Sequence, residues 1–274
     1  MKQSAPKTIL CIHDLSGMGR CSLAVAAPVL AAMGHQPILL PTALLSTHTG
    51  GLGKPAIHNL PDYGEAALQH YKELGIEFDC IYSGYLAAPQ DQQLVHKAFD
   101  LWPNALKIVD PVLGDHGKFY SGMESLLDGM RELCRKADLI LPNQTEACLL
   151  LQQPYTEMDF EPEQAQQLAD ALSDTIQKAV VTGLPMGKHL ACAGSYGRER
   201  FLVKRLRINR NYPGTGDLFA SVLVGALLRG NALSAAVDAA AGFVAEAINY
   251  TDPAAEPALG VWFEPLLGRL CERN

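Results

Sequence analysis

The sequence predicts an α/β protein in three layers. A central, mostly parallel sheet is flanked by helices and carries a short antiparallel hairpin at one edge. Three observations predict this. Short apolar runs of strand length alternate with longer segments of helical length. Most of the short runs end in small polar or glycine-rich groups, at 13–19, 42–51, 83–86, 110–120 and 182–183. Open parallel sheets bind ligands beyond the carboxyl ends of their strands. Finally, Tyr212-Pro213-Gly214-Thr215-Gly216-Asp217 is a sharp turn, and the run behind it to Leu228 is apolar on nearly every face, as in a buried helix.

The bulk numbers fit this class. A chain of 274 residues with 48% hydrophobic and 19% charged residues is globular and long enough for a sizeable core. With no repeat or linker, 1–274 reads as one domain. A net charge of −7 and no long basic run argue against a nucleic-acid partner. The seven cysteines are scattered, and no two are spaced Cys-x-x-Cys. They read as reduced core residues of a cytoplasmic protein. The apolar run after the first seven residues is too short for a signal peptide or a membrane span.

The elements follow in order. Thr8–Ile12 is a strand, and His13-Asp14-Leu15-Ser16-Gly17-Met18-Gly19 is a polar, glycine-rich loop after it. A helix from Cys21 to Met33 stops at Gly34, and Gln36–Leu40 is the next strand. The glycine loop invites a dinucleotide-binding reading. Ser22 stands where that fingerprint needs its third glycine, and no acid follows the second strand. Thr42 to Gly51 is a polar stretch past that strand, so Asp14, Ser16, Thr42, Ser46, His48 and Thr49 could share one pocket. An ordinary solvated loop with turn-capping Ser and Thr is the alternative.

Glu65–Leu74 reads as a helix, Phe78–Tyr82 as a strand, Asp91–Leu101 as a helix and Lys107–Val109 as a strand. Asp110 directly after a buried strand is costly unless paired, near a metal, or used as a cap. The glycine-rich tail from Gly114 to Tyr120 has the composition of a moving flap. Met123–Lys136 is helical and Asp138–Leu141 a strand. In Pro142-Asn143-Gln144-Thr145-Glu146, Asn143 and Glu146 have the spacing of an N-cap and its reciprocal glutamate. They also read as phosphate- and magnesium-side groups. Glu161–Lys178 is an exposed helix, and Ala179–Val181 a strand ending in the polar turn Thr182-Gly183. Lys188–Gly194 and Glu199–Ile208 form a hairpin around Ser195–Arg198. Ala232–Tyr250 and Pro257–Leu270 are the last two helices.

The turn at Gly214 carries the chemistry. Glycines before a helix let backbone N–H groups reach an anion, and the helix dipole adds positive potential there. An acid in that first turn is explained if the carboxylate of Asp217 takes a proton from a hydroxyl while the N–H groups hold charge on a transferred phosphoryl group. Otherwise Asp217 is an ordinary acid complementing the dipole. A Walker loop ending Gly-Lys-Ser/Thr is absent, so an ATP site here is of another design.

Taken together, these motifs resemble the ribokinase-like small-molecule kinases, and within them the pyridoxal/pyridoxamine (vitamin B6) kinases. The carrying motifs are Ser46-Thr47-His48-Thr49-Gly50, Ser83-Gly84-Tyr85-Leu86, Asp110-Pro111-Val112-Leu113-Gly114-Asp115, Pro142-Asn143-Gln144-Thr145-Glu146 and Gly214-Thr215-Gly216-Asp217. The resemblance implies ATP as phosphoryl donor with Mg²⁺, an assisting potassium-type cation, a small pyridine-type substrate, and a homodimer. It implies Asp217 as base, and the N–H groups of Gly214, Thr215 and Gly216 as an anion hole. Asp110 and Glu146 match positions that hold magnesium through water, and Asn143 the phosphate side. Thr182, with Gly183, matches a residue near the nucleotide phosphates. Asp115 and Tyr120 match the shielding flap; Asp14, Thr49 and Tyr85 match substrate-ring contacts. The segment 13–19 is also similar to the loop of the hydroxymethylpyrimidine kinases of thiamine synthesis. Asp14 suits either substrate. A non-catalytic binder of the same fold is the other alternative; it has no need of Asp217.

Overall fold

The computed structural model describes residues 5–176, 178–197 and 199–271. The chain runs β1 (Thr8–Met18), α1 (Leu23–Ala32), β2 (Gln36–Thr47), β3 (Ile57–Asn59), α2 (Pro61–Glu73), β4 (Cys80–Ser83), α3 (Pro89–Leu101) and β5 (Leu106–Val109). A small ribbon, β6 (Gly114–Asp115) and β7 (Lys118–Phe119), precedes α4 (Leu127–Lys136), β8 (Leu139–Ile140), α5 (Gln144–Leu151) and α6 (Pro162–Ser173). Then come β9 (Lys178–Met186), β10 (His189–Tyr196), β11 (Glu199–Leu206), α7 (Thr215–Leu228) and α8 (Leu233–Tyr250). Among the described residues one sheet has the order β11-β10-β9-β8-β5-β4-β1-β2-β3. Its centre, from β9 to β2, is parallel; β3, β10 and β11 are antiparallel at the two edges.

Alternate residues of a strand face opposite sides, and here both sides are covered. Leu10, Ile12, Ile81, Val109 and Ile140 pack with α2 to α6. Ile9, Cys11, Cys80, Tyr82, Ile108 and Leu139 pack with α1, α7 and α8. Helices α2, α3 and α6 begin on Pro61, Pro89 and Pro162. Proline is pre-set for a first helical turn and lacks an N–H that would be orphaned there. It starts α2 and α3 earlier than their acidic residues suggest.

Three loops of the sequence reading are strands or parts of strands. The polar segment 13–18 continues β1, paired with the 41–47 half of β2. Each extended tail satisfies the other's backbone, which composition does not reveal. Their register shifts between His13 and Leu15, and such an irregularity re-aims side chains. Thr182 and Gly183 lie inside β9, not past its end. Gly183 has φ 67°, and the pairing with β10 shifts opposite it, between Ala191 and Ala193.

The hairpin of β10 and β11 is where the two strand-length runs around the 195–198 turn place it, with Tyr196 opposite Glu199. Arg198, in its turn, lies outside the described residues, as does Gln177 in the segment read as the end of a long helix; α6 stops at Ser173. Residues 123–126 form a 3₁₀ turn before α4. The last expected helix is two 3₁₀ turns, Pro257–Leu259 and Glu264–Leu270, separated by Gly260 at φ 77°. No helix of the described residues is long and apolar enough to cross a membrane.

Candidate active site

Strands β4, β5 and β8 end level with one another, at the point where β1 loses its β4 partner and runs on beside β2. Ile12, Ser83, Val109 and Ile140 are aligned across β1, β4, β5 and β8. The residues that follow, His13, Gly84, Asp110 and Leu141, therefore lie side by side at the carboxyl edge. The N-terminus of α7 meets this edge. Gly214 takes φ 78°, and a Cβ there would stand 1.7 Å from the Arg20 carbonyl oxygen. Only glycine suits both the left-handed backbone and that approach. The turn sets Thr215, Gly216 and Asp217 in the first turn of α7, where N–H groups lack intrahelical partners. A Cβ on Gly216 would meet nothing within 4 Å, so the turn faces open space. The Thr215 hydroxyl donates back to the Tyr212 carbonyl at 3.1 Å.

Asp217 is held at both oxygens. Its Oδ2 accepts from the Ser22 N–H at 2.8 Å, and its Oδ1 is 3.0 Å from His13 Nε2. The other ring nitrogen, Nδ1, lies 2.8 Å from Asp14 Oδ1 and also faces the Asp14 N–H at 2.9 Å, as Nε2 faces the Tyr85 N–H at 3.3 Å; the Ser16 hydroxyl donates to Asp14 Oδ2 at 3.0 Å. Burial alone would lower the His13 pKa, but its hydrogen bonds to Asp14 and Asp217 and their charges push it up to about 10. Burial works to raise Asp14, and the His13 hydrogen bond and charge, with help from Ser22 and Ser16, bring it below the ordinary carboxylate range. The buried His13 ring thus bridges two carboxylates, and their charges favour its protonated form.

Asp110 and Glu146 form a second pair of acids. Glu146 closes a capping box with Asn143: Asn143 Oδ1 accepts from the Glu146 N–H at 3.0 Å, and Glu146 Oε2 from the Asn143 N–H at 2.9 Å. Glu146 Oε1 accepts from the Leu113 N–H at 3.0 Å, and Asn143 Nδ2 donates to the Gly114 carbonyl at 2.8 Å. So the cap and the site share residues. Burial, then the charge of Asp110, raises Glu146 well above its usual value against those N–H donors. Burial, then repulsion from Asp217, pushes Asp110 up to about 7, with His13 acting the other way. No protein cation sits against Asp110 or Glu146 among the described residues, nor do three or more His, Cys, Asp or Glu gather there as a metal cluster. Two buried, mutually repelling carboxylates beside an anion turn fit Mg²⁺, which binds one or two carboxylates and completes its shell with water and phosphate oxygens.

The raised Asp110 pKa has a consequence for the ligand-free protein. Unfolded, this acid ionises near 3.8; folded, near 7. Between these values the folded state holds the extra proton, so this group's contribution to stability falls as pH rises and levels off above 7. Asp110→Asn should gain on wild type across that window, by on the order of a few kcal/mol. Metal-free melting curves at pH 4 to 8 check this; a constant difference between the two proteins would contradict it.

The remaining predicted residues divide. Tyr85 is half-buried beside this centre; burial, then the charge of Asp14, raises its phenol. Thr42 is buried, and its hydroxyl has no hydrogen-bond partner. Ser46 is exposed and accepts from the Ala56 N–H at 2.9 Å, joining β2 to the segment before β3. His48 is buried with both ring nitrogens engaged: Nδ1 accepts from the Gly50 N–H at 3.0 Å, and Nε2 donates to the Ala258 carbonyl at 2.5 Å. It fastens the end of β2 to the 3₁₀ turn at 257–259. Thr49 is exposed just past β2. Thr182 is half-buried beside Asn143, bridged to it and donating its N–H to the Pro142 carbonyl at 2.9 Å. Gly183, next to it, is exposed.

Asp115 closes β6 and Tyr120 follows β7; Gly117 serves the tight turn between the two strands, while a Cβ on Gly114 would stand 2.2 Å from the Lys118 carbonyl oxygen. His116 and Gly117 have φ 49° and 74°, the left-handed pair favoured in two-residue hairpins. The Gly117 N–H donates to Thr145 Oγ1 at 2.9 Å, which ties the ribbon to α5.

The sequence reading missed His13, Ser22 and Gly84 as site residues. A Cβ on Gly84 would stand 2.0 Å from His13 Cδ2, so that glycine makes the notch for the ring. The usable signal was a His-Asp pair directly behind a buried apolar strand.

The phosphomethylpyrimidine kinase family model matches residues 30–261. A pyridoxine/pyridoxal/pyridoxamine kinase of Bordetella avium is 31% identical over 244 residues, 83% of this chain and 79% of its own. A Bacteroides thetaiotaomicron protein ascribed to the phosphomethylpyrimidine kinases superposes with a TM-score of 0.94 at 35% identity, over 100% of this chain and 97% of that one. Another crystal form of it, with pyridoxal, gives 0.89 at 35% identity over 97% and 96%. Pyridoxal kinase from Lactobacillus plantarum gives 0.87 at 33% identity, over 96% of each chain.

Proposed function

The chain belongs to the phosphomethylpyrimidine kinase family, on its vitamin B6 kinase side, and from that membership we propose that it phosphorylates the 5′-hydroxymethyl group of pyridoxal, pyridoxamine and pyridoxine with ATP. It is a kinase of the ribokinase-like fold. The observation that carries the reaction is Asp217, fixed at both oxygens in the first turn of α7 beside free N–H groups.

The substrate oxygen attacks the γ-phosphorus of ATP, the bond to the β-phosphate oxygen breaks, and ADP leaves. The hydroxyl proton passes to the Asp217 carboxylate. The N–H groups of the Gly214–Gly216 turn, reinforced by the α7 dipole, hold the charge on the phosphoryl oxygens. Such transfer needs positioning and charge neutralisation more than covalent help. Asp110 and Glu146 would hold Mg²⁺ through water, with Asn143 on its phosphate side; the ion supplies charge neutralisation to the phosphates. Asp14, Ser16, Thr42 and Tyr85 face the pyridine ring, and Ser46, His48 and Thr49 shape the wall beyond it. Thr182 and Gly183 lie along the nucleotide phosphates, and Asp115 and Tyr120 on the ribbon shield the transfer path. A potassium-type cation, where one binds, would add to that charge neutralisation.

The seven free cysteines, six of them buried, suit a reducing cytoplasm. Exposed Met18, Leu44 and Ile57 around the short edge strand β3 favour a homodimer of one-domain chains; light scattering reads that directly.

Steady-state ADP release with Mg-ATP and each vitamer tests the reading. Turnover of at least one vitamer is expected. The family model favours a second substrate, hydroxymethylpyrimidine. Turnover of that compound alone would move the enzyme to thiamine metabolism with the same chemistry.

A further inference from the structure

His13 has a place in this site that its residue type does not announce. It is 1% exposed, at the point where the β1 register shifts, and Gly84 leaves room for its ring. Both of its nitrogens meet carboxylate oxygens, Asp14 Oδ1 at 2.8 Å and Asp217 Oδ1 at 3.0 Å, and each also faces a backbone N–H, that of Asp14 at 2.9 Å and of Tyr85 at 3.3 Å. The far oxygen of each acid is also held, Asp14 by the Ser16 hydroxyl and Asp217 by the Ser22 N–H. Neither carboxylate can rotate without losing a hydrogen bond. The line Ser16–Asp14–His13–Asp217–Ser22 therefore runs unbroken from the substrate-ring side to the acid that takes the proton.

We propose that His13 is a positioning residue that aims the Asp217 carboxylate and couples it to the occupancy of Asp14. This rests on the reading of Asp217 as base and Asp14 as ring contact. When a ring N–H or hydroxyl of the substrate donates to Asp14, that acid's lone pairs are shared and its hold on His13 Nδ1–H weakens. The ring then shifts its donation at Nε2 toward Asp217. The base is thus set by the presence of the correct ring, and not by the hydroxyl alone. A hydroxymethyl compound lacking a donor for Asp14 gains nothing from this link.

Two experiments test it, both on the whole protein. In the first, kcat and both KM values are measured for wild type, His13→Gln, Asp14→Asn and the double variant. Glutamine can donate to one of the two acids and carries no charge. The expected result is a kcat loss on the order of 30-fold in His13→Gln, the scale of one hydrogen bond to a charged group. The KM for ATP should not move. Once His13 is gone, Asp14→Asn should add little further loss in kcat, because the link is already broken. Losses that multiply independently, or an unchanged kcat in His13→Gln, would overturn the proposal.

The second uses wild type and so does not depend on any variant folding. The ring nitrogen resonances of ¹⁵N-labelled His13 are followed while pyridoxal is added without nucleotide. They should shift as pyridoxal saturates its site, judged by its absorbance. Fixed resonances with pyridoxal bound would overturn the coupling. If wild type turns over no vitamer, the reading beneath the proposal falls; if wild type is active and His13→Gln equals it, only the proposal falls.

Discussion

Asp217→Asn lowers turnover by roughly 100- to 10,000-fold, the range contributed by a positioned proton acceptor. The substitution keeps shape and removes basicity. It also disturbs the pairing described above. Two donors, His13 Nε2–H and the Ser22 N–H, face the two oxygens of Asp217. An amide offers one acceptor oxygen, so one of these donors meets an N–H₂ group instead. That mismatch costs about 1–3 kcal/mol of stability. The expected picture is a folded protein with a lowered melting temperature, near-normal affinity for pyridoxal and Mg-ATP, and almost no ADP release. Loss confined to kcat marks a group used in the transition state. A kcat within tenfold of wild type would remove Asp217 from the chemistry and revive a binding role for the fold.

Gly214→Ala should cost the most stability of any single change in the site. The left-handed backbone at φ 78° alone costs a side chain about 1–2 kcal/mol. The added Cβ would also lie 1.7 Å from the Arg20 carbonyl oxygen and 3.1 Å from Cys21 Sγ. The Arg20 backbone is poorly placed to retreat. Its guanidinium donates to Glu264 at 2.6 Å and to the Leu259 carbonyl at 3.1 Å. The first turn of α7 must move instead, which draws Asp217 away from Ser22 and His13. Denaturant melts and ADP release should therefore both fall, with a stability loss above about 2 kcal/mol. Gly216→Ala, where a Cβ would meet nothing within 4 Å, is the control for the melt. Equal melts for the two variants would mean that the backbone contact at Arg20 is not a constraint.

What could be read from the sequence was local. The glycine turn and Asp217 were legible because only glycine tolerates that backbone. Asn143 and Glu146 were legible because a capping box is a three-residue spacing. The β10–β11 hairpin followed from alternation over adjacent strands. What could not be read was set by partners far along the chain. Residues 13–18 are polar and glycine-containing, and they are a strand because β2 pairs with them. His13 looked like a loop residue because the acid at Nε2 lies 204 positions away. His48 looked available to a ligand because its acceptor, Ala258, lies 210 positions away. The 257–270 segment has helical length, but Gly260 breaks it and its turns tighten to 3₁₀.

The arginine at position 20 and the glutamate at 264 lie 244 residues apart in sequence yet touch beside the Gly214 turn. On a ribosome, synthesis at 5–20 residues per second separates their appearance by roughly 12–50 seconds. The strand that carries His13 and Asp14 emerges before α7 and must wait for it, and then for the fastening turns behind it. Until α7 and α8 emerge, the apolar face they cover in the folded protein lacks that layer. It is then exposed to chaperones and proteases rather than to substrate. A chain cut short before Leu259 would lack both contacts that hold Arg20 behind the Gly214 turn.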